Sequence, residues 1–525
     1  MKSNSTMNLK LNITFLMVFV SCALQAQLSD TIAIKQNIFF NSFQTQLWKN
    51  PLFYTEQQFK DYTFTQINFS QNNSNLKRVQ SAEKTNRYAF TTEGIFNLNS
   101  RSRFFGDVSL SKYYEKEIGY SFSSERTDDQ NVLSPNYFYA PKKGNWEHQQ
   151  YWLQGGFSHH FENNIVMSVK LFGDYKKSFR TIDPRPQIVY AHYGGELTFG
   201  YKIKSHTVIF SGLLSRKKEN TSIIYMDDYK NAPVYTETFT RFSTGYGRTT
   251  FDNSYQSHID LFTDKGFGMG YQFSKEKWNI NSTYRYNKTM TDFYGKDGNG
   301  NVFLEEQYIR YKYRTINHTV AVNGFFKGQT KNYFAELLLK KQQGDNFSVL
   351  EQGQNYRMNI DKVSFNSGII KVKNGITSYC FEAGVNASQQ KYIDLLGSTH
   401  KELTDLVIHT DFNTDFYIND QNKINFKTSI QYYTALQEEL TTVKLSSENL
   451  FLDNVVIPDH AYDVTDKLGA AVTLNYQHKL SNKKELRIFA NWNSLVALNN
   501  EYKKYYSSLN TSANNNYTIG LAIIY

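Results

Sequence analysis

The last nine residues of the chain alternate as far as Ile523: Tyr517, Ile519, Leu521, Ile523 and Tyr525 fall on one face of an extended segment, and Thr518, Gly520 and Ala522, followed by Ile524, on the other. Strand side chains point to opposite faces in turn, whereas a helix repeats every 3.6 residues, so this pattern reads as strand. The same alternation recurs upstream. Ile165, Met167, Val169, Leu171 and Tyr175 oppose Ser168, Lys170 and Asp174, while Phe199, Tyr201 and Ile203 oppose Thr198, Gly200 and Lys202. Leu406, Ile408, Phe412, Phe416 and Ile418 oppose Asp405, His409, Asp411, Asn413 and Asp415; Leu468, Ala470, Val472, Leu474 and Tyr476 oppose Lys467, Thr473, Asn475 and Gln477. Charged and amide side chains at every second site suit a wet face better than a dry core. The chain is thereby restricted to sheets that are apolar on one side and solvated on the other.

The connections add an independent constraint. Short ones fall near 100–102, 162–164, 205, 275–276, 328–329, 373–374, 419–421 and 481–483. Between them lie longer polar ones, roughly 123–145, 180–190, 220–265, 295–304, 344–356, 396–401, 438–463 and 499–514. Short turns at one end and long loops at the other are the layout of an outer-membrane barrel. The segment 84–98 runs towards the short turn near Ser100, so parity requires one earlier strand. Tyr62, Phe64, Gln66 and Asn68 against Thr63, Thr65, Ile67 and Phe69 supply it. The expectation is an all-β chain: a transmembrane antiparallel up-and-down β-barrel of about 18 strands, with 16 as the alternative, over residues 62–525, with short periplasmic turns and long extracellular loops. The period is least clear over 236–273, where Gly245, Gly247, Gly266, Gly268 and Gly270 interrupt it.

Such a barrel must be exported. Residues 1–26 carry Lys2 and Lys10, an apolar run from Leu11 to Leu24 and a small residue, Ala26, at the expected cut, which reads as a secretory signal peptide. Cys22 is the alternative, as a lipidation cysteine, although Phe19 stands three residues before it. Residues 27–61 are expected to form an N-terminal periplasmic segment or a lumen hatch. Beyond the leader no apolar run reaches 18 residues and the mean hydropathy is −0.57, which excludes a helical membrane protein while leaving room for a barrel, whose faces average out as polar. Aromatics make up 16% of the chain, as girdles at two interfaces would need. Only Cys380 remains after cleavage, so no intramolecular disulfide is available. Removing Lys2 and Lys10 from the formal +10 leaves +8, a balance that anionic lipid head groups explain for an exported chain without invoking nucleic acid.

The C-terminal strand, ending on Tyr525, resembles the closing strand of bacterial outer-membrane barrels. The resemblance implies that Tyr517, Ile519, Leu521, Ile523 and Tyr525 form a signal read by the barrel-assembly machinery. Together with "LWKNP" at 47–51 and "YKKSFRTIDPRP" at 175–186, it makes the mature chain similar to a Bacteroidota outer-membrane barrel family of unknown function. The Trp-x-Asn-Pro stretch around Trp48 also resembles the start of fatty-acid-transporter-like barrels, whose N-terminal segment folds into the lumen. These resemblances imply a fold and a compartment, and no activity.

Few residues stand out as sites. Pro184 and Pro186 stiffen the segment holding Asp183 and Arg185, which suits either a rigid turn or a constriction loop. Asp297 to Asn301 begin like a calcium loop, but Val302 and Tyr308 stand where glycine and glutamate are required. His159 and His160 are adjacent and point to opposite faces. His409 shares the predicted lumen face with Asp405, Asp411 and Asp415, as a solvated patch or a cation site. His478 lies on the lipid face, where its neighbours Tyr476 and Leu480 offer no acid–base partner. Lumen charges on this register are mixed: Lys170, Lys202, Arg285, Lys423, Lys427, Lys467 and Arg487 against Asp174, Glu196, Glu382, Asp405, Asp411 and Glu485. No metal, cofactor or catalytic set is expected. A channel or transporter for an unidentified solute fits best; a surface-exposed binding or assembly component of an envelope complex is the alternative, and a barrel hydrolase the third reading.

Overall fold

The computed structural model describes residues 61–124, 134–162, 164–226, 236–250, 257–295, 303–373, 376–443, 451–481, 484–499 and 513–525. The expected signal peptide over 1–26, Cys22, the expected N-terminal segment up to residue 60 with its 47–51 motif, and the 297–301 loop lie outside the described residues. Eighteen antiparallel strands, from Tyr62–Ser74 to Asn514–Ile524, pair with their chain neighbours and close into a barrel. The seam joins first strand to last, with Phe64 opposite Ile524 and Gln71 opposite Tyr517. Thr63 N donates to Tyr525 O at 2.6 Å and Tyr525 N to Thr63 O at 2.9 Å, so the ladder runs to the final residue. Closure leaves no unpaired edge, the condition for a sheet to stand in hydrocarbon.

Strand breaks occur at all eight of the expected short connections, for example between Ile203 and His206 and between Lys275 and Trp278. Lys204 and Glu276 take φ of 54° and 44°, as two-residue hairpins of right-twisted strands demand. Two connections expected to be long are short. Strands end at Arg180 and Asp394 and resume at Arg185 and Thr399, because the polar stretches 185–190 and 399–401 belong to the wall. About 9–11 residues suffice to cross a membrane. Strands of up to 21 residues, such as Asn422–Thr442, therefore project beyond it, and their outer ends are polar for that reason.

The outer wall carries an apolar belt. Ile67, Leu171, Leu214, Ile519 and Leu521 are 44–65% exposed, with Tyr88, Tyr193 and Tyr517 along one border and Tyr201, Trp278 and Tyr417 along the other. Above the belt, on the long-loop half, the outer face changes to cross-strand ion pairs: Lys112–Glu147 at 2.7 Å, Arg314–Asp345 at 2.7 Å and Lys391–Glu402 at 2.8 Å.

Inside the long-loop end sits a plug made of the chain's own loops. Asn136–Tyr139, Arg241–Thr244 and Thr249–Thr250 form a three-stranded sheet, and Leu452–Val456 leads into the helix Ile457–Val464, with Pro458 in its first turn. Phe122, Phe138 and Phe242 pack on the wall residues Trp146, Phe293 and Tyr311, while Tyr137 and Tyr139 pack on Phe451, Leu452 and Val456. The glycines that blurred the period separate into two kinds. Gly266, Gly268 and Gly270 lie in the wall strand Ser257–Lys275, whereas Gly245 and Gly247 turn the plug hairpin. A Cβ on Gly245 would stand 2.1 Å from an Asp394 oxygen, and Gly247 has φ of 134°.

Candidate functional site: the lumen and its plug

Acidic side chains fasten the plug to the wall. Asp463, on the helix, meets Arg78 Nη2 at 2.6 Å and also pairs with Lys401, all three buried. Burial alone would push the Asp463 carboxyl up, but Arg78 and Lys401 outweigh it and hold it below the ordinary value. One turn earlier, Asp459 accepts from Val79 N at 2.8 Å; burial dominates there and raises its pKa to about 6. His460 is fully buried 3.3 Å from Glu438, and burial, aided by Lys401, lowers it to about 4. A separate anchor holds the hairpin: Asp394 Oδ2 accepts from Tyr246 N at 2.8 Å and Arg248 N at 3.0 Å, and Oδ1 from Gly397 N and Asn355 Nδ2, both at 2.9 Å.

Beneath the plug lies a lumen cavity of about 970 Å³. Leu76, Arg78, Ala82 and Tyr462 contribute to its roof, and residues from opposite walls, such as Tyr113 and Lys362, line its sides. Its described lining holds seven basic side chains (Lys77, Arg78, Arg87, Lys176, Lys340, Lys362 and Lys467) against three acidic ones (Glu115, Asp405 and Asp463), a balance of plus four. The acids are engaged: Asp463 as above, Glu115 with His148 Nε2 at 2.8 Å, and Asp405 with Ser388 Oγ at 2.5 Å. Lys77 donates to Ser81 O at 2.7 Å and, with burial and then Lys143 acting on it, titrates at about 8. Lys467 donates to Thr465 O at 2.8 Å and stacks over Tyr462.

The residues singled out in the sequence are distributed as follows. Asp183 is buried at the turn after Arg180; its Oδ1 accepts from Arg185 Nε at 2.6 Å and its Oδ2 from Met226 N at 2.9 Å, so the two are joined to each other and to the next loop. Tyr517, Ile519, Leu521 and Ile523 face outward, 37–59% exposed, while Ala522 is buried on the inner face. Of the His409 group, Asp411 stays near, and Glu382 joins it with ligand atoms within 4.8 Å. Asp405 and Asp415 turn instead to Ser388 and Lys423. Lys427 Nζ is 3.7 Å from Asp411, so an ammonium already supplies positive charge there. His478 Nδ1 lies 2.8 Å from Asn422 Oδ1. Other lumen charges pair across the wall, as Glu196 does with Lys170 at 2.7 Å and Arg285 at 2.8 Å.

Among the described residues, serine–histidine–acid contacts arise at two places that sequence reasoning missed. Ser178 Oγ is 2.7 Å from His148 Nδ1, whose other nitrogen faces Glu115, but Ser178 is 1% exposed and sealed from any substrate. Ser215 lies 3.0 Å from His192 Nε2 yet donates to Asp264 at 2.7 Å, which takes the proton a general base would need. Both bring together residues from separate strands, which spacing in one sequence does not reveal.

A family of unknown function, DUF6850, has a model that matches residues 51–525. The chain belongs to that family. No curated protein matches the chain in sequence. Among solved structures, this family member is similar to the ferric preacinetobactin receptor BauA from Acinetobacter baumannii, with 8% identity, TM-score 0.39 and coverage of 89% of this chain and 80% of that one. The outer membrane transporter YddB from Escherichia coli gives 7%, 0.38, 89% and 81%. OccAB3 from Acinetobacter baumannii gives 9%, 0.37, 89% and 98%. Likeness at this level concerns barrel architecture and says nothing of cargo.

Proposed function

We propose that the protein conducts a small solute across the outer membrane, as a channel or transporter whose mouth is gated by a plug of its own loops. The observation that carries this reading is the cavity of about 970 Å³ under the plug. Barrels of this strand number have room for an aqueous path, and a volume of this order suits a small molecule. Asp463 and Asp394 fasten the plug by ion pairs and hydrogen bonds, contacts that a bound solute or a partner can exchange. Export by residues 1–26, a hatch from residues 27–61, outer-membrane lipid around the belt and recognition of the terminal strand by the barrel-assembly machinery complete the proposal. Deleting Tyr525 is expected to lower the yield of heat-modifiable barrel, and normal yield would remove the assembly-signal element. A surface-exposed binding component in an envelope complex is the second reading, favoured by the ordered cap that the plug presents at the mouth.

Conductance in planar bilayers tests the first reading. The wild-type barrel should open rarely, and a variant lacking residues 451–464 should conduct steadily. A plug-deleted barrel that is folded, by its heat-modifiable migration, and still silent would overturn the channel reading and favour the second.

A further inference from the structure

Six of the seven cavity cations have no carboxylate within ion-pair distance among the described residues; Lys77 and Lys467 are held by backbone carbonyls, and the placement of the other four is not random. Arg87 and Lys176 flank one ring, at 5.8 Å and 5.6 Å from the centre of Tyr113. Lys340 and Lys362 stand directly opposite each other on adjacent strands, both exposed to the cavity. Like charges in directly opposed positions repel, so a wall that keeps such a pair has a use for it or a counter-charge to meet it. Around the barrel, Arg87 and Tyr113 lie on the second and third strands, and Lys340 and Lys362 on the eleventh and twelfth. That is nine places on in a ring of eighteen. The two groups therefore face each other across the lumen, at either side of one cavity.

We propose that this cavity binds polyanionic solutes, carrying two or more carboxylate, sulfate or phosphate groups, at two cation clusters on facing walls, Arg87 with Lys176 and Lys340 with Lys362, so that a small anion occupies one cluster and a longer one reaches both. The inference rests on the lumen being a solute path. Arg87 offers a planar fork that takes an oxyanion through two parallel hydrogen bonds, while the lysines act as point charges that adapt to either end. Gln150, beside Tyr113 and Lys176, and Ser364 and Asn386, beside Lys362, supply neutral hydrogen-bond partners next to the two clusters. A neutral sugar would bring no counter-charge to either cation group, and a cation would be repelled by both.

Isothermal titration of the full-length barrel in zwitterionic detergent at low ionic strength tests this, with citrate, phosphate, sulfate and maltose as separate probes; low salt is needed because screening shortens the reach of such charges. Saturable citrate binding is expected, with one class of sites lost in Lys340→Gln/Lys362→Gln and the other in Arg87→Gln/Lys176→Gln, at least about tenfold weakening when all four are changed, and no binding of maltose. Phosphate or sulfate binding more tightly than citrate would assign the site to tetrahedral oxyanions within the same class. Lys362→Glu keeps the wall intact by pairing with Lys340 and should abolish citrate binding at that cluster, so a folded barrel with those sites lost separates charge from stability. Absence of saturable binding for all three anions in the wild type, or citrate binding that is undiminished when all four cations are changed to Gln, would overturn the proposal. A barrel that binds citrate but never conducts once the plug is removed would refute the transport reading and leave the anion site standing. One that conducts but binds none of the anions would do the reverse.

Discussion

The wall and the plug use the same residue types in opposite ways. On the wall Ile519 is 59% exposed, Leu171 64% and Tyr193 58%; in the plug Phe138 and Tyr139 are 0% exposed and Phe242 1%. Apolar side chains outside a closed sheet need a surrounding apolar medium, whereas those of the plug find theirs in one another and in the inner wall. The wall is held by a continuous ladder of backbone hydrogen bonds. The plug is held by a compact aromatic core and a few fixed charges. Two kinds of stability thus sit in one chain, and they should fail under different insults.

Asp463→Leu should produce the largest effect, because it removes the carboxylate shared by buried Arg78 and Lys401; ~3–5 kcal/mol of plug stability is expected to go. Protease should then reach residues 451–464 while the barrel keeps its anomalous gel migration. Loss of both together would mean that wall and plug fold as one unit. Phe242→Ala should act alike through the aromatic core, by ~3–5 kcal/mol, with the same two readouts. Damage confined to the wall comes next. Leu474→Arg on the outer face should cost ~2–4 kcal/mol near mid-membrane and reduce folded barrel, whereas Thr473→Arg on the lumen face should be tolerated; equal responses would break the assignment of faces.

The smallest effect in the wild type concerns pH. Asp459, raised from 3.8 to about 6, favours the seated plug most at low pH and loses that contribution as pH rises through about 6. His460, lowered from 6.5 to about 4, contributes above about 6.5 and loses its contribution as pH falls through about 4. The two slopes oppose between pH 4 and 6.5, so plug protection against hydrogen exchange should stay nearly flat there. Asp459→Asn should unmask a plug that loosens on acidification, and His460→Gln one that loosens as pH rises from 4 to 6, each by up to about 3 kcal/mol. Identical profiles in the two variants would remove both titrations from the account.

Much of the wall was legible in the sequence because one period governs it. Ile165 to Tyr175 and Leu468 to Tyr476 lie on the faces their alternation implies, and the short turns punctuate them. The plug was not legible, since its strands are four and two residues long and carry no period to detect. Its fasteners are also distant in the chain: Arg78 and Asp463 stand 385 residues apart. The lumen charges show a subtler limit. Alternation tells which residues face inward, but not at what depth. Lys170, Arg285 and Lys423 face inward and are paired there, while Arg87, Lys176, Lys340 and Lys362 gather at the level of the cavity. A count that treats the lumen as one compartment sees balanced signs; the cavity alone is basic.

The ion pairs above the belt settle how the barrel floats. If it sank by one side-chain repeat, about 6.6 Å along a strand, Lys112–Glu147, Arg314–Asp345 and Lys391–Glu402 would be carried towards hydrocarbon, where charged groups are costly by kilocalories each. If it rose, Ile519 and Leu521 would be lifted towards water. Displacement in either direction meets a restoring force, so the protein has one draught, like a hull with a marked waterline. The cavity and its opposed cations are carried at a set height against that line, with a fixed thickness of plug between them and the long-loop mouth.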